Sequence, residues 1–179
     1  MSTQPSPVIL PWDNVRPVIA ADAFIAPNAT IVGDTQIGSK ASIWFNVVLR
    51  GDVNYIRVGD CTNIQDGTVV HVSSKDHPTL IGAGVLIGHM AMIHACTLED
   101  GCFVGMSATI MDGAVVEQGA MIAAGALVAP GKRVKAGQLW AGTPAKFIRD
   151  VRPEEAERFP EQIQRYVDLG QTYRQLVSE

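Results

Sequence analysis

Three of the four histidines in the chain, His71, His89 and His94, fall within one short stretch, and imidazole is a preferred ligand for divalent metals near neutral pH. Three neutral nitrogens around one ion leave a fourth position open for water. That arrangement belongs to metals that do chemistry rather than to metals that only tie a fold together. The fourth histidine, His77, lies in the polar stretch Ser73-Ser74-Lys75-Asp76-His77-Pro78 and reads either as ordinary loop surface or as a proton relay. Cys61, Cys96 and Cys102 form no C-x-x-C pair, which fits reduced thiols filling small core positions. Cys96, two residues after His94, is the one thiol to watch as a ligand.

The elements that must position these side chains are announced by a six-residue repeat. An aliphatic residue recurs at Ile25, Ile31, Ile37, Ile43, Leu49, then Val58, Ile64, Val70, then Ile81, Ile87, Ile93, then Leu98, Val104, Ile110, Val116, Ile122, Val128 and Val134. Small residues fill the positions between, as in Ile122-Ala123-Ala124-Gly125-Ala126-Leu127. A helix would need apolar residues at i, i+3, i+4 and i+7, and so many glycines would penalise it. The repeat therefore predicts a parallel β-helix, in which each short strand buries one branched residue and turns a corner. The repeat slips three times: nine residues separate Leu49 from Val58, eleven separate Val70 from Ile81, and five separate Ile93 from Leu98. These slips lie beside the histidines and nearby acids, where bulges and inserted loops re-aim side chains.

The second slip yields a geometric expectation. Three hexads per coil put stacked residues eighteen apart, and the spacing of twenty-three from His71 to His94 is eighteen plus the five extra residues looped out between Ser73 and Thr79. The two imidazoles should stack at about the 4.7–4.9 Å spacing of neighbouring strands. At that distance they can share an ion or simply hydrogen-bond. His89 follows Ile87 by two, on the preceding face, so it belongs around a corner of the prism. The economical way to bring it to the same ion is to borrow it from a neighbouring copy, which implies a cyclic oligomer.

Composition sets the outer bounds. The chain has 179 residues, 47% of them apolar, enough for one core. Its net charge of -4, with Lys and Arg scattered, argues against nucleic acid. The most apolar stretch, Ala120 to Pro130, is far too short to span a membrane, and residues Met1 to Pro11 show no secretory signal, so the expected compartment is the cytoplasm. Residues 1–19 read as a proline-marked lead-in and cap, 20–146 as the β-helix domain, and 147–179 as a C-terminal helical segment, all within one domain. There the pattern predicts a helix over 161–178 covering the flank of the solenoid, with Gly170 a weak point and Pro160 separating it from a short preceding helix.

Arg50-Gly51-Asp52, Asn63-Ile64-Gln65-Asp66-Gly67, Val70-His71, Gly88-His89, His94-Ala95-Cys96 and Gly142-Thr143-Pro144-Ala145-Lys146 together resemble the gamma-class carbonic anhydrase-like hexapeptide-repeat proteins, over about residues 10–178. The resemblance implies a left-handed β-helix, a homotrimer, and zinc, or iron or cobalt in the same place, bound by His71 and His94 of one chain and His89 of the next. It implies a carbonate dehydratase-type lyase that hydrates carbon dioxide reversibly to bicarbonate by a zinc-bound hydroxide. Handedness comes from the family alone, since the usual crossover rule favours the right hand. By the same resemblance Arg50 and Asp52 form interface ion pairs with Asp66, in a structural or a positioning role. Gln65 with Asn63 orients the metal-bound water or bicarbonate, and Tyr166 lies near the substrate pocket.

The sequence departs from the best-studied branch of that family, which carries proton-relaying glutamates beside the Asp52 position and in a loop after the first histidine. Here the neighbour is Val53 and the loop reads Ser73-Ser74-Lys75-Asp76-His77-Pro78, so proton export lacks its familiar carboxylates. Two further function classes share the repeat: an acyltransferase or thioesterase-like enzyme acting on an acyl-coenzyme A, and a non-enzymatic, metal-binding assembly subunit. Three clustered histidines speak against the single catalytic histidine usual in the acyltransferases.

Overall fold

A computed structural model describes residues 6–74 and 76–177. The chain winds into a parallel β-solenoid of about seven turns with one C-terminal helix. Its coils have three faces. One stacks Val69–His71, Met92–His94, Thr109–Ile110 and Leu127–Val128 in parallel. The second stacks Thr79–Ile81, Thr97–Leu98, Val115–Val116 and Arg133–Val134. The long strand Val48–Val58 bends across the corner and pairs with both faces. The third face runs from Phe24–Ile25 through Ser42–Ile43, Asn63–Ile64, Leu86–Ile87, Phe103–Val104 and Met121–Ile122 to Gln138–Ala141.

The hexad is the core. Every repeating aliphatic from Ile31 to Val134 is at most 4% exposed, and only Ile25, in the first coil, is half-buried. Each such burial contributes about 1.5–3 kcal/mol. Corners must be small because coils stack at strand spacing: a Cβ on Gly88 would lie 2.7 Å from the Met106 amide nitrogen of the next coil. Val8–Leu10 and Val18–Ile19 pair with the strand Thr30–Ile37, so the lead-in caps the first coil. Residues 1–5 of the expected lead-in lie outside the described residues.

The C-terminal segment differs from expectation in two respects. Lys146–Asp150 form a strand, antiparallel to Gln138–Ala141, that closes the third face. One uninterrupted helix then spans Pro153–Leu176, with Pro160 inside it rather than at a break, while Ser178 lies outside the described residues. Proline removes one helical hydrogen bond. Tertiary anchors on both sides override that preference: Phe159 meets Phe103 edge-on at 5.9 Å, and Tyr173 packs on Trp44 and Phe24 at 5.0 and 5.7 Å. Gly170 is a point of close approach rather than a weakness, since a Cβ there would come within 3.1 Å of Ser42 Cβ. No described helix is long and apolar enough to cross a membrane.

Candidate metal centre

His71 and His94 end adjacent strands of the first face and pair directly in register. Their ring centroids are 5.2 Å apart, and His71 Nδ1 lies 3.2 Å from His94 Nε2. The nitrogen of each ring that faces away from the other has a carboxylate. His71 Nε2 is 3.1 Å from Asp52 Oδ1, and His94 Nδ1 is 2.6 Å from Asp112 Oδ1. Ionised carboxylates only accept, so a neutral imidazole at either position carries its proton on the outer nitrogen and turns a lone pair toward the other ring. Two lone pairs at 3.2 Å repel unless a cation lies between them. A tetrahedral ion with bonds of about 2.0–2.1 Å spaces two of its nitrogens about 3.3 Å apart, so the pair fits such an ion.

The scaffold holds this corner firmly. Ala95, directly after His94, has φ +50°, a left-handed conformation that costs a non-glycine residue about 1–2 kcal/mol. The five-residue slip in the repeat is the sequence trace of that tight turn. On the other side, Thr79 donates its hydroxyl to the His71 carbonyl at 2.5 Å, tying down the end of the inserted loop. Burial pushes the Asp52 carboxyl up, but hydrogen bonds from His71, Arg50 and the Val53 amide outweigh it and hold the carboxyl below the usual range. Arg50 and Asp52 form an ion pair within the chain.

His89 stands apart, at the corner that leads out of the third face. Its Nδ1 lies 2.8 Å from Asp66 Oδ2, and its side chain is 46% exposed. Among the described residues no three His, Cys, Asp or Glu side chains of one chain gather as a metal-holding group. Gln65 shares a groove of about 440 Å³ with His89 and Tyr166, walled by Leu86, Phe103, Met106 and Leu169 and bordered by Gln162 and Arg165. Gln65 Nε2 donates to Asn63 Oδ1 at 3.0 Å, and Asn63 Nδ2 donates to Ser42 Oγ at 2.8 Å. This buried chain fixes the Gln65 amide with its nitrogen inward, leaving the carbonyl oxygen as the acceptor available to the groove.

Cys96 faces the apolar core at 2% exposure, and burial pushes its thiol far up, so it is no ligand. His77 is exposed, and its ring lies against Gly113, beside Asp112. Sequence reasoning missed two residues. Asp112 is eighteen residues after His94, one coil on, and Ser42 is the registered strand neighbour of Asn63. Stacking arithmetic applied to the acids and hydroxyls as well as the histidines finds both.

Comparison with known proteins identifies the family. A family model described as bacterial transferase hexapeptide (six repeats) matches residues 16–51. The chain is 53% identical to a probable carbonic anhydrase of Methanocaldococcus jannaschii, covering 87% of this chain and 97% of that one. It is 51% identical to the mitochondrial gamma carbonic anhydrase 2 of Arabidopsis thaliana over 88% of its own length but only 58% of the plant protein's. A solved hexapeptide transferase family protein from Anaplasma phagocytophilum superposes with a TM-score of 0.89 at 50% identity, over 93% of this chain and 98% of that one. Stacked histidines on a hexapeptide solenoid, with identities of this size over nearly the whole of an archaeal relative, place the chain in the gamma carbonic anhydrase-like family of hexapeptide-repeat proteins.

Proposed function

We propose that the protein is a zinc-dependent carbonic anhydrase, working as a homotrimer in the cytoplasm, that interconverts carbon dioxide and bicarbonate at metal centres shared between subunits. The carrying observation is the pair of facing nitrogens at 3.2 Å, each ring backed by a carboxylate. His71 and His94 would hold the ion from one chain, and His89, whose other nitrogen is occupied by Asp66, would hold it from the next. Zinc, iron or cobalt suits three imidazoles. Such an ion, when bound, supplies a Lewis acid that makes hydroxide available near neutral pH.

The chain's own residues do the rest. Gln65, held by Asn63 and Ser42, accepts a hydrogen bond from the attacking oxygen and so keeps a lone pair aimed at carbon. Leu86, Phe103, Met106 and Leu169 offer apolar walls to an apolar gas. Tyr166 and Arg165, on the helix side of the groove, face the anionic product. Arg50, Asp52 and Asp66 position the histidines and the subunit boundary. The neighbour of Asp52 is Val53, which is exposed and carries no proton, so His77 is the group left to pass protons to buffer. The purified protein is expected to be a trimer with about one metal per chain and a measurable, buffer-dependent rate of carbon dioxide hydration. A metal-loaded trimer with no hydration in any buffer would refute the proposed reaction.

The groove also favours a second reading. About 440 Å³ exceeds what a three-atom substrate fills, given the roughly 30 Å³ of one water, and the matched family is described as a transferase family. Turnover of an acyl-coenzyme A thioester by the metal-loaded trimer, in place of carbon dioxide hydration, would establish it.

A further inference from the structure

We infer that Asp112 is the residue that positions His94 for metal, so the centre extends one coil beyond its ligands. This rests on the metal-centre reading above. The contact itself, 2.6 Å from Asp112 Oδ1 to His94 Nδ1, is the shortest of the three carboxylate–imidazole contacts. It is also built by rigid backbone rather than by a loop. The Asp112 carbonyl accepts the Gly131 amide, and the neighbouring Gly113 amide donates to the Ala95 carbonyl, both at 2.8 Å. Ala95 is in turn the left-handed residue that fixes the turn after His94.

Other corner acids of the solenoid show what an aspartate does when it serves only the fold. Asp60 accepts the Ser39 amide at 2.7 Å, Asp100 accepts the Ala83 amide at 2.8 Å, and Asp22 accepts the Lys40 amide at 3.2 Å. Each caps the backbone of a neighbouring coil. The described contact of the Asp112 carboxylate is with an imidazole instead. A carboxylate there holds the proton on Nδ1, keeps Nε2 bare, raises its basicity and fixes the ring plane. Partners of this kind are commonly worth about 10- to 100-fold in metal affinity.

The test is cobalt(II) binding by the full-length protein, read by visible absorption and by the rate of loss to a chelator. Asp112→Ala is expected to weaken binding about 10- to 100-fold and to change the cobalt spectrum, with the metal-free melting temperature and oligomeric state held. Asp112→Asn, nearly isosteric, should fall between Ala and wild type, which guards against a folding artefact. Asp100→Asn, at a corner that caps backbone only, should bind cobalt as wild type does. Wild-type affinity and spectrum in Asp112→Ala would overturn the inference and leave the metal centre standing. A wild-type protein that takes up no cobalt would overturn both.

Discussion

The coils from Leu98 to Val134 and those from Thr35 to Ile93 use the same hexad but spend it differently. In the later coils the repeat is unbroken, and its aliphatic residues are 0–1% exposed. Among the described residues, every buried polar side chain lies in the earlier coils: Thr35, Ser42, Thr62, Asn63, Gln65, Thr68 and Thr79. Burying a polar group costs free energy unless it is hydrogen-bonded. These seven are bonded: Thr62 to the Gly82 carbonyl, Thr68 to Gly88, Thr79 to His71, Thr35 to Val32, and Ser42, Asn63 and Gln65 in one chain, while the buried indole Nε1 of Trp44 has no hydrogen-bond partner. The uninterrupted coils supply stability, and the interrupted ones use it to hold polar groups in fixed places.

If that division holds, the largest effect on stability comes from the regular coils. Ile110→Ala, at a fully buried position, should cost about 2–5 kcal/mol in urea unfolding. A cost below about 1 kcal/mol would show that these coils are not the main support. His94→Ala should do the reverse, abolishing metal retention on gel filtration while shifting metal-free stability by less than about 1 kcal/mol, the usual range for a half-exposed surface change. Equal loss of fold and metal would erase the distinction between the regions.

Smaller changes sharpen it. Gln65→Ala should keep metal and trimer and lower carbon dioxide hydration about tenfold to a hundredfold, as expected for loss of one positioning hydrogen bond. An unchanged rate would reduce Gln65 to a structural amide. His77→Ala should lower the rate only in weak buffer and be rescued by imidazole, because its ring is exposed rather than built into the coil. The smallest effect belongs to the regular coils. Hydrogen bonds from Arg133, the Ala136 amide and Lys135 hold Glu117 down to about 2 from its ordinary 4.5. A carboxyl depressed by folding stabilises above its unfolded value, and that contribution fades as pH falls from about 4.5 to about 2. Glu117→Gln should lower the melting temperature slightly at neutral pH and flatten its profile across that window, the difference from wild type vanishing toward pH 2.

Much of this was legible in the residues because solenoid geometry is periodic. Eighteen plus five placed His94 on His71, and the two-residue offset after Ile87 put His89 around a corner. The helix was less legible. Local propensity marks Pro160 and Gly170 as breaks, whereas contacts from residues far away in sequence, Phe103 to Phe159 and Ser42 to Gly170, decide both positions. Asp112 and Ser42 went unseen for a different reason. A lone acid at a corner usually caps backbone, and a lone serine usually fills a small position, so neither stands out until its stacked neighbour is known.

The central claim, that the metal site is shared between chains, is tested most directly by subunit complementation. His89→Ala chains keep the His71–His94 pair, and His94→Ala chains keep His89. Neither variant alone should retain cobalt or zinc after desalting. Unfolded together and refolded as mixed trimers, the two should regain about one ion per mixed trimer, because a ring holding both kinds of chain has a single interface with an intact donor set on each side. Metal retained by His89→Ala alone, or none regained by mixed trimers whose composition is confirmed by mass, would contradict the shared centre.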